Sequence, residues 1–456
     1  MKQLTLEQLQ FQKGLGIVRL APADQTVTVE YWNPESIPAI TVKVMAGENI
    51  VREYSVEAQK TGTVFMDGLE NGVDYTVVLE GDSFISPARL FRCGYVPGTV
   101  INYIHPEDYT YNLSGRSPAT PCILRLPNGI LLASHDVYWM DEGQNLSLVF
   151  ASEDNGKNWH YRSLVFPCFW GKLFWHRQKL YMMGISTEYG ALQLFCSEDE
   201  GKSWSQPCQI LAAGDKFVGG PHKSAMPVVE CAGRLWTGID YGSWTIGGHA
   251  SGAVSVSVDA DLMVSENWTA TGFLPYDPQW EGTVQGKSGG LLEGNMLVGP
   301  DGELYNLLRY QTNGCEPNVG KAILLRYDKN DPAAMPAFYK VVDFYGNLSK
   351  FTVLQHEESQ NYYALVNRVI SPNIAQRNCL SLVSSRDTEH WTLRRDVLNY
   401  QDNGWHEDHT KAAFQYVDFI YDGQDILFVS RTALNGAFSF HNANYLTFHR
   451  IQDFQT

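Results

Sequence analysis

The chain has 456 residues, of which 44% are hydrophobic and only 18% charged, with 40 glycines, 20 prolines, 12 Trp, 24 Tyr and 21 Phe. This composition is typical of many short strands joined by tight turns, and the length favours two unequal domains. The formal net charge of −16 repels phosphate backbones and anionic lipid, so we expect neither nucleic acid nor a membrane as partner.

The first residues, MKQLTLEQLQFQKGLGIVRLAP, lack the apolar centre of a signal peptide, and no later stretch has the length and hydropathy of a membrane span. This predicts a cytoplasmic protein, although a secreted chain trimmed of its leader would look the same. The eight cysteines are scattered singly, without a CxxC pair or a short spacing to histidine. We therefore expect reduced thiols and neither a metal nor another cofactor.

Residues 1–95 predict a small β-sandwich. Alternating strand patterns such as TVTVEYW, AITVKVMA and DYTVVLEG are separated by Pro, Asn and Gly turns. The segment from Gly68 to Gly81 resembles the late strands of a fibronectin type III domain, with Tyr75 where that fold has a corner tyrosine. The resemblance implies a spacer or a packing partner rather than a catalytic unit.

A short motif repeats in the rest of the chain. SEDNGKNW begins at Ser152 and SEDEGKSW at Ser197, a spacing that suits one four-stranded propeller blade, and SSRDTEHW is a degenerate copy. In the pattern Ser-x-Asp-x-Gly-x-x-Trp the carboxylate accepts backbone N–H bonds across a turn, and the tryptophan packs between blades. We therefore interpret Asp154 and Asp199 as turn residues and not as catalytic ones.

Strand signatures in residues 96–456 predict an all-β, six-bladed propeller, with five or seven blades as alternatives. Six apolar runs recur at blade spacing, namely PNGILLASHD, RQKLYMMGIS, CAGRLWTGID, PDGELYNLLRY, QNYYALVNR and YDGQDILFVSR. We expect the last strand, ANYLTFHRI, to close the ring by pairing with a strand from residues 100–118, because an open propeller would leave bare strand edges.

The paired motifs, with PNGILLA ahead of the first, resemble the Asp boxes of the sialidase superfamily of six-bladed propellers. That resemblance places an acid/base Asp shortly before the first box, where this chain has Asp141; a solvated loop is the alternative reading. It also implies a Glu in the fourth blade followed by a substrate-binding Arg, a pattern that Glu293 and Arg309 match. A buried structural ion pair is the alternative for these two residues.

Further positions follow from the same resemblance. Arg377 precedes the degenerate box, as a second substrate-binding arginine should. A nucleophilic tyrosine is expected near the start of the last blade, where Tyr416 and Phe414 align equally well. Ala119 stands where the first arginine of the sialidase motif should be, so the three-arginine clamp for a sialic acid carboxylate is incomplete. Arg116 is a possible substitute in the preceding loop.

Histidines and tryptophans add candidates that the family does not require. His135 follows an inner-strand run and is a candidate acid/base group, whereas His222 follows a Gly-Gly-Pro turn that could border the pocket. A hydrogen-bonded structural histidine is the alternative for each, and for His441. Trp139 is a candidate platform for a sugar ring, as are Trp170 and Trp244.

The resemblance implies an exo-acting glycoside hydrolase that cleaves a terminal sugar, acidic or neutral, from oligosaccharides or glycosides. With Tyr416 as nucleophile and Glu293 as its base, cleavage would retain the anomeric configuration; without the tyrosine, inversion is expected. Two alternatives stay open: a uronate lyase in which His135 or a tyrosine removes a proton next to a carboxylate, and a non-catalytic carbohydrate-binding propeller.

Overall fold

The computed structural model describes residues 14–57, 59–109, 115–139, 144–346, 348–405 and 411–456. This part of the chain is built from strands and three short 3-10 helices, so the all-β prediction is confirmed. None of its helices is long and apolar enough to cross a lipid bilayer. All eight cysteines lie within it, each buried and outside any disulfide. The 3-10 helices are Trp244–Ile246, Ser265–Asn267 and Tyr400–Asn403.

The N-terminal strands form two antiparallel sheets. Sheet A contains β1 (Gly16–Ala23), β2 (Thr26–Trp32) and β5 (Thr61–Met66). Sheet B contains β3 (Ala39–Ala46), β4 (Asn49–Glu57), β6 (Asp74–Gly81), β7 (Phe84–Ile85) and β8 (Arg89–Arg92). Apolar residues from both sheets share one core, and the backbone N–H of Glu70 donates to the Tyr75 hydroxyl at 2.9 Å. Tyr75 thus joins β6 to the preceding loop.

These two sheets pack against the rest of the chain through buried charges. Arg89 forms a 2.5 Å ion pair with Asp108, and Arg19 donates to the carbonyl of Ile101 at 2.5 Å. The carboxylate of Glu30 accepts the backbone N–H of Tyr161 at 3.0 Å. The N-terminal region is therefore held by specific polar contacts, and the boundary near residue 95 stays a prediction.

Within the described residues, six more sheets follow in chain order. Sheet 1 contains β10 (Gly115–Pro118), β11 (Cys122–Arg125), β12 (Leu131–Trp139), β13 (Ser147–Ser152) and β14 (His160–Val165). Sheet 2 contains β15 (Phe169–His176), β16 (Lys179–Ile185), β17 (Leu192–Ser197) and β18 (Cys208–Leu211). Sheet 3 contains β19 (Gly220–His222), β20 (Val228–Cys231), β21 (Arg234–Ser243), β22 (Gly248–Ser257), β23 (Trp268–Ala270) and β24 (Leu274–Pro275).

The remaining three sheets are four-stranded. Sheet 4 contains β25 (Gly290–Val298), β26 (Leu304–Gln311), β27 (Lys321–Tyr327) and β28 (Ala337–Asp343). Sheet 5 contains β29 (Thr352–Gln355), β30 (Tyr362–Asn367), β31 (Cys379–Ser385) and β32 (Trp391–Asn399). Sheet 6 contains β33 (Ala413–Asp422), β34 (Asp425–Ala433), β35 (Tyr445–Ile451) and β9 (Thr99–Tyr103).

The sheets are arranged as a β-propeller. Apolar clusters join neighbouring sheets, for example sheets 2 and 3, and sheets 4 and 5. Early strands of different sheets contact one another around a common centre: β11 contacts β15 and β33, and β29 contacts β25 and β33. The last strand pairs with β9, Tyr445 opposite Tyr103, so the predicted closure of the chain ends is confirmed and β35 is not a bare edge.

The Ser-x-Asp-x-Gly-x-x-Trp segments form turns whose polar groups are paired locally. Asp154 accepts hydrogen bonds from the Ser152 hydroxyl at 2.9 Å and from the Asn158 backbone at 2.8 Å. Gly156 has the positive φ of 87° that the turn requires, and Trp159 is buried. Asp199 has the same pair of contacts in the second copy. The two aspartates act as turn residues, as the sequence predicts.

Candidate active site

Glu293 and Arg309 form a buried ion pair at the centre of the propeller. Arg309 Nη1 donates to Glu293 Oε2 at 2.6 Å, and only 4% of Glu293 is exposed. Burial alone would raise the pKa of Glu293, but the Arg309 guanidinium outweighs burial and holds that pKa below its ordinary value. The structure therefore brings together two residues that the sequence pattern predicts as partners, with the carboxylate ionised.

The backbone at Glu293 is strained. A register shift interrupts the β25–β26 pairing between Leu292 and Asn295, and Glu293 has a φ of 53°. Its backbone N–H donates to Asp240 Oδ2 on β21 at 2.7 Å, which holds the bulge from the neighbouring sheet. Burial raises the pKa of Asp240 to about 7.

Tyr416, and not Phe414, lies beside this ion pair. The Tyr416 hydroxyl accepts a hydrogen bond from Arg309 Nη1 at 3.2 Å, so one guanidinium nitrogen contacts both Glu293 and Tyr416. Tyr416 also lies in a bulge and has a φ of 55°. Phe414 is fully buried, with its ring 5.0 Å from that of Trp405, and it belongs to the core.

Two further arginines stack on Tyr416. The Cζ atom of Arg431 is 5.0 Å from the ring centroid and that of Arg377 is 5.8 Å away. Arg377 Nη1 donates to Gln415 Oε1 at 2.7 Å, and Arg431 Nη2 donates to the carbonyl of His441. Burial lowers the pKa of Arg377 to about 10 and lowers that of Arg431, which leaves both charged near neutral pH.

Arg431 belongs to this cluster although the sequence did not predict it. The resemblance left the arginine set incomplete because Ala119 occupies the first position, and the structure places Ala119 in the core between sheets. Arg431 instead supplies a third guanidinium from β34, the second strand of sheet 6. The sequence contained a signal for Arg431. Both PDGELYNLLRY, which contains Arg309, and YDGQDILFVSR, which ends in Arg431, have an arginine near the end of the apolar strand that follows a DG turn.

His135 is not brought to this cluster, which corrects its expected position. The residue is fully buried, with its Nε2 2.9 Å from Asn102 Nδ2 and its Nδ1 2.9 Å from the carbonyl of Asp136. Its ring stacks on Phe150, and burial lowers its pKa to about 4. Both ring nitrogens form hydrogen bonds, one to Asn102 of sheet 6 and one to Asp136 of sheet 1. This fits the alternative interpretation of His135 as a structural histidine.

His222 does lie next to the cluster, with a second histidine beside it. The His222 and His249 ring centroids are 4.4 Å apart, and His222 Nδ1 is 3.7 Å from Asp240 Oδ2. Trp170 contacts His222 and Trp244 contacts His249, with ring centroids 4.4 Å and 4.9 Å apart. His249 was missed because no motif or apolar run accompanies it in GGHASG.

Of the other candidates, His441 adjoins the arginines through its carbonyl, and three are outside the described residues, wholly or in their side chains. His441 contacts Tyr138 and pairs with Asn442, and its carbonyl binds Arg431 as noted. Asp141 lies outside the described residues, as do the side chains of Arg116 and Trp139, so their roles stay predictions.

Two further carboxyl groups have no predicted role: Asp136, whose charge acts on Arg431, and Glu188, beside Tyr189. Asp136 accepts from the Ser147 hydroxyl at 2.5 Å, and burial raises its pKa to about 7. Burial also raises the pKa of Glu188, whose charge acts in turn on Tyr138. Across the described ranges, no group of three or more His, Cys, Asp or Glu side chains is placed to hold a metal ion.

Comparison with known proteins supports the fold. No family model and no curated protein matches the sequence. The chain is similar to the Hadza microbial sialidase Hz136, at 12% identity and a TM-score of 0.52 over 96% of each chain. It is also similar to a mutant of the α-L-arabinofuranosidase arb93a from Fusarium graminearum in complex with an iminosugar inhibitor, at 10% identity and a TM-score of 0.50 over 74% of this chain and 93% of that one.

A third similar structure is a protein of unknown function from Dyadobacter fermentans, at 13% identity and a TM-score of 0.50 over 78% of this chain and all of the other. At such identities the likeness establishes the β-propeller fold and nothing about the reaction.

Proposed function

We propose that this chain is a glycoside hydrolase that removes a terminal sugar carrying a carboxylate. The observation that carries the proposal is the convergence of Arg309, Arg377 and Arg431 around Tyr416, beside ionised Glu293. Arg309 lies on β26 of sheet 4, Arg377 in the loop between β30 and β31 of sheet 5, and Arg431 on β34 of sheet 6, so the fold itself assembles the group. The sialidase and arabinofuranosidase among the similar structures agree with a sugar substrate.

The charge balance of the cluster favours an anionic sugar. Three guanidinium groups face one ionised carboxylate, Glu293, and one carboxyl group, Asp136, whose pKa of about 7 leaves it about half protonated near neutral pH. All of these groups are at least partly buried. Excess buried positive charge is costly unless an anion compensates it, and the planar guanidinium fork matches a carboxylate. In addition, the Nε atoms of Arg377 and Arg431 have no hydrogen-bond partner within the described part of the chain. A substrate carboxylate would supply the missing acceptor.

The geometry suits a tyrosine nucleophile. Tyr416 attacks the anomeric carbon and passes its proton to Glu293, while the bond from that carbon to the leaving oxygen breaks and an acid protonates the oxygen. Asp141 is the acid that the sequence predicts. Water then attacks the glycosyl-tyrosine, gives a proton to the conjugate base of that acid, and Tyr416 recovers its proton from Glu293. Two displacements give retention.

Strained backbone at both reacting residues fits this assignment. Non-glycine residues with positive φ are costly, and they persist at functional sites where the surrounding structure enforces them. Glu293 and Tyr416 both have such a φ, each within a bulge of a first strand.

A screen of acidic and neutral synthetic glycosides tests the proposal. The wild type should release the aglycone from acidic glycosides, and Glu293→Gln should reduce kcat about 1000-fold. Glu303→Gln is the matched control, because Glu303 pairs with Arg326 and Lys329 away from the cluster.

The same screen separates the alternatives. A uronate lyase would give an unsaturated product that absorbs in the near ultraviolet, and a binding module would bind sugars without forming product. Either outcome, or an unchanged rate in Glu293→Gln, would contradict the proposal.

A further inference from the structure

His222 and His249 form a buried pair in which three of the four ring nitrogens lack a hydrogen-bond partner among the described residues. Only 4% of His222 and 6% of His249 are exposed. Neither ring nitrogen of His249 has a hydrogen-bond partner among the described residues, nor does His222 Nδ1, and the same is true of Asp240 Oδ1. His222 Nδ1 lies 3.7 Å from Asp240 Oδ2, which is longer than a hydrogen bond.

Unpartnered buried imidazoles require an explanation. A neutral imidazole carries one N–H donor and one acceptor nitrogen, and leaving either unsatisfied inside a protein costs free energy. Other buried histidines of the chain avoid this cost. Both nitrogens of His135 are bonded, and His449 Nε2 lies 2.8 Å from Thr447 Oγ1. The exception at His222 and His249 points to a ligand that completes their hydrogen bonds.

The pair is suited to hydroxyl groups and not to a second anion. Burial lowers the pKa of His222 to about 4 and that of His249 to about 3, so both rings are uncharged near neutral pH. An uncharged pair offers donors and acceptors together. A hydroxyl group also donates and accepts, whereas a carboxylate only accepts.

Aromatic side chains surround the pair. Tyr189 lies 6.1 Å from His222 and 6.2 Å from His249, measured between ring centroids, and Trp170 and Trp244 pack against the outer side of each ring. Trp244 is 46% exposed, and His249 also lines a neighbouring pocket of about 340 Å³ together with Tyr241 and Tyr276. Apolar walls with a few convergent polar atoms are typical of small-molecule subsites.

The pair adjoins the arginine cluster. The charges of Glu293 and Arg309 both act on His222 and on His249, and Asp240 bonds to the backbone of Glu293. We propose that His222 and His249 form a subsite that binds hydroxyl groups of the same sugar whose carboxylate the arginines hold. This inference rests on the proposed function and specifies the substrate as a polyhydroxylated acid.

The test compares two kinds of probe on the full chain by isothermal titration calorimetry. N-acetylneuraminate, D-glucuronate and D-galacturonate carry a carboxylate and hydroxyls, whereas cyclohexanecarboxylate carries the carboxylate on a ring without hydroxyls. The wild type should bind at least one hydroxylated acid about 100-fold more tightly than cyclohexanecarboxylate. Replacing both His222 and His249 should remove most of the wild type's preference for the hydroxylated acid over cyclohexanecarboxylate.

His222→Phe and His249→Phe keep an aromatic ring and remove the nitrogens. Each should weaken binding of the hydroxylated acid about 10-fold, leave cyclohexanecarboxylate binding unchanged, and not lower Tm at pH 7, because no hydrogen bond within the described part of the chain is lost. His449→Phe is the control: it removes a real hydrogen bond far from the cluster and should lower Tm without changing either affinity.

The outcomes separate the two proposals. Equal affinity of the wild type for the hydroxylated and bare acids would overturn the subsite and leave the arginine cluster as a carboxylate site. Unchanged preference in both phenylalanine variants would do the same. If no acid of either kind binds the wild type, the proposed function fails together with the subsite.

Discussion

The outer turns and the centre of the propeller differ in whether their polar side chains have hydrogen-bond partners. In the turns, the Asp154 carboxylate is occupied by Ser152 and Asn158, and the Asp199 carboxylate by Ser197 and Ser203. At the centre, several polar atoms lie buried without hydrogen-bond partners in the described ranges. They include Asp136 Oδ2, Asp240 Oδ1, both nitrogens of His249, and the Nε atoms of Arg377 and Arg431.

This difference separates residues that stabilise the fold from residues available to a ligand. A carboxylate whose acceptor capacity is filled by its own turn contributes to stability and has little left to offer a substrate. Buried polar atoms without partners cost stability, and they are retained where binding or catalysis uses them. Substitutions at the centre should therefore change activity with little loss of stability, and substitutions in the turns should do the reverse.

The largest effect is expected at the tyrosine. Tyr416→Phe removes the proposed nucleophile and should reduce kcat about 1000-fold or more, while Tm stays within a few degrees because the ring still stacks under the arginines. Steady-state kinetics on a cleaved glycoside and a thermal melt measure the two quantities.

Tyr421→Phe is the matched control for that variant. It lies on the same strand, where its hydroxyl bonds to the carbonyl of Leu354, and it should keep the wild-type kcat. A Tyr416→Phe enzyme with wild-type turnover would remove the tyrosine from the mechanism.

The third arginine should show the next largest effect. Arg431→Met keeps much of the side-chain volume and removes one guanidinium, so KM for an acidic glycoside should rise about 100-fold. Arg450→Met is the control, because Arg450 is on β35 of the same sheet and pairs with Asp422 and Asp425. Equal KM values in the two variants would show that Arg431 does not bind substrate.

The buried histidines should make the protein acid-sensitive. Their folded-state pKa values, about 4 for His222 and about 3 for His249, lie below the unfolded value near 6.5. The unfolded chain therefore binds more protons between these values, and stability present above pH 6.5 is lost as the pH falls towards 4. Between pH 7 and pH 5 each histidine should lower the free energy of unfolding by roughly 2 kcal/mol. Local opening of the structure around the ring reduces this loss.

Urea unfolding at the two pH values checks this expectation. The double variant His222→Phe/His249→Phe should lose less stability than the wild type over the same interval. Parallel losses in both proteins would mean that the two imidazoles ionise freely in the folded state.

The smallest effect is expected in an outer turn. Asp154→Ala removes the hydrogen bonds from Ser152 and Asn158 and should lower the free energy of unfolding by about 1 kcal/mol, since the turn is largely exposed. Chemical denaturation measures the loss, and kcat and KM should equal those of the wild type. A loss of turnover without a loss of stability would reverse the interpretation of this motif.

The sequence predicted the all-β fold because strand alternation and turn spacing are regular, and it predicted the Glu293–Arg309 pair through the resemblance to the sialidase superfamily. It could not choose between Tyr416 and Phe414, since a register shift between Gln415 and Asp418 changes which side chain faces the centre, and alternation fails at a bulge. Arg431 and His249 were missed for another reason. The resemblance assigns no role to either position, and only the folded sheets bring Arg431 beside Arg377 and His249 beside His222.

Covalent trapping tests the central claim most directly. A 2-fluoro or 3-fluoro glycosyl fluoride of the sugar found in the screen should slow the second displacement and leave the glycosyl group on the enzyme. Intact-protein and peptide mass spectrometry should then find one added sugar on Tyr416, and none on the Tyr416→Phe variant. A sugar attached to a residue outside the Glu293–Arg309–Tyr416 cluster, or rapid turnover to an inverted product without any adduct, would contradict the account.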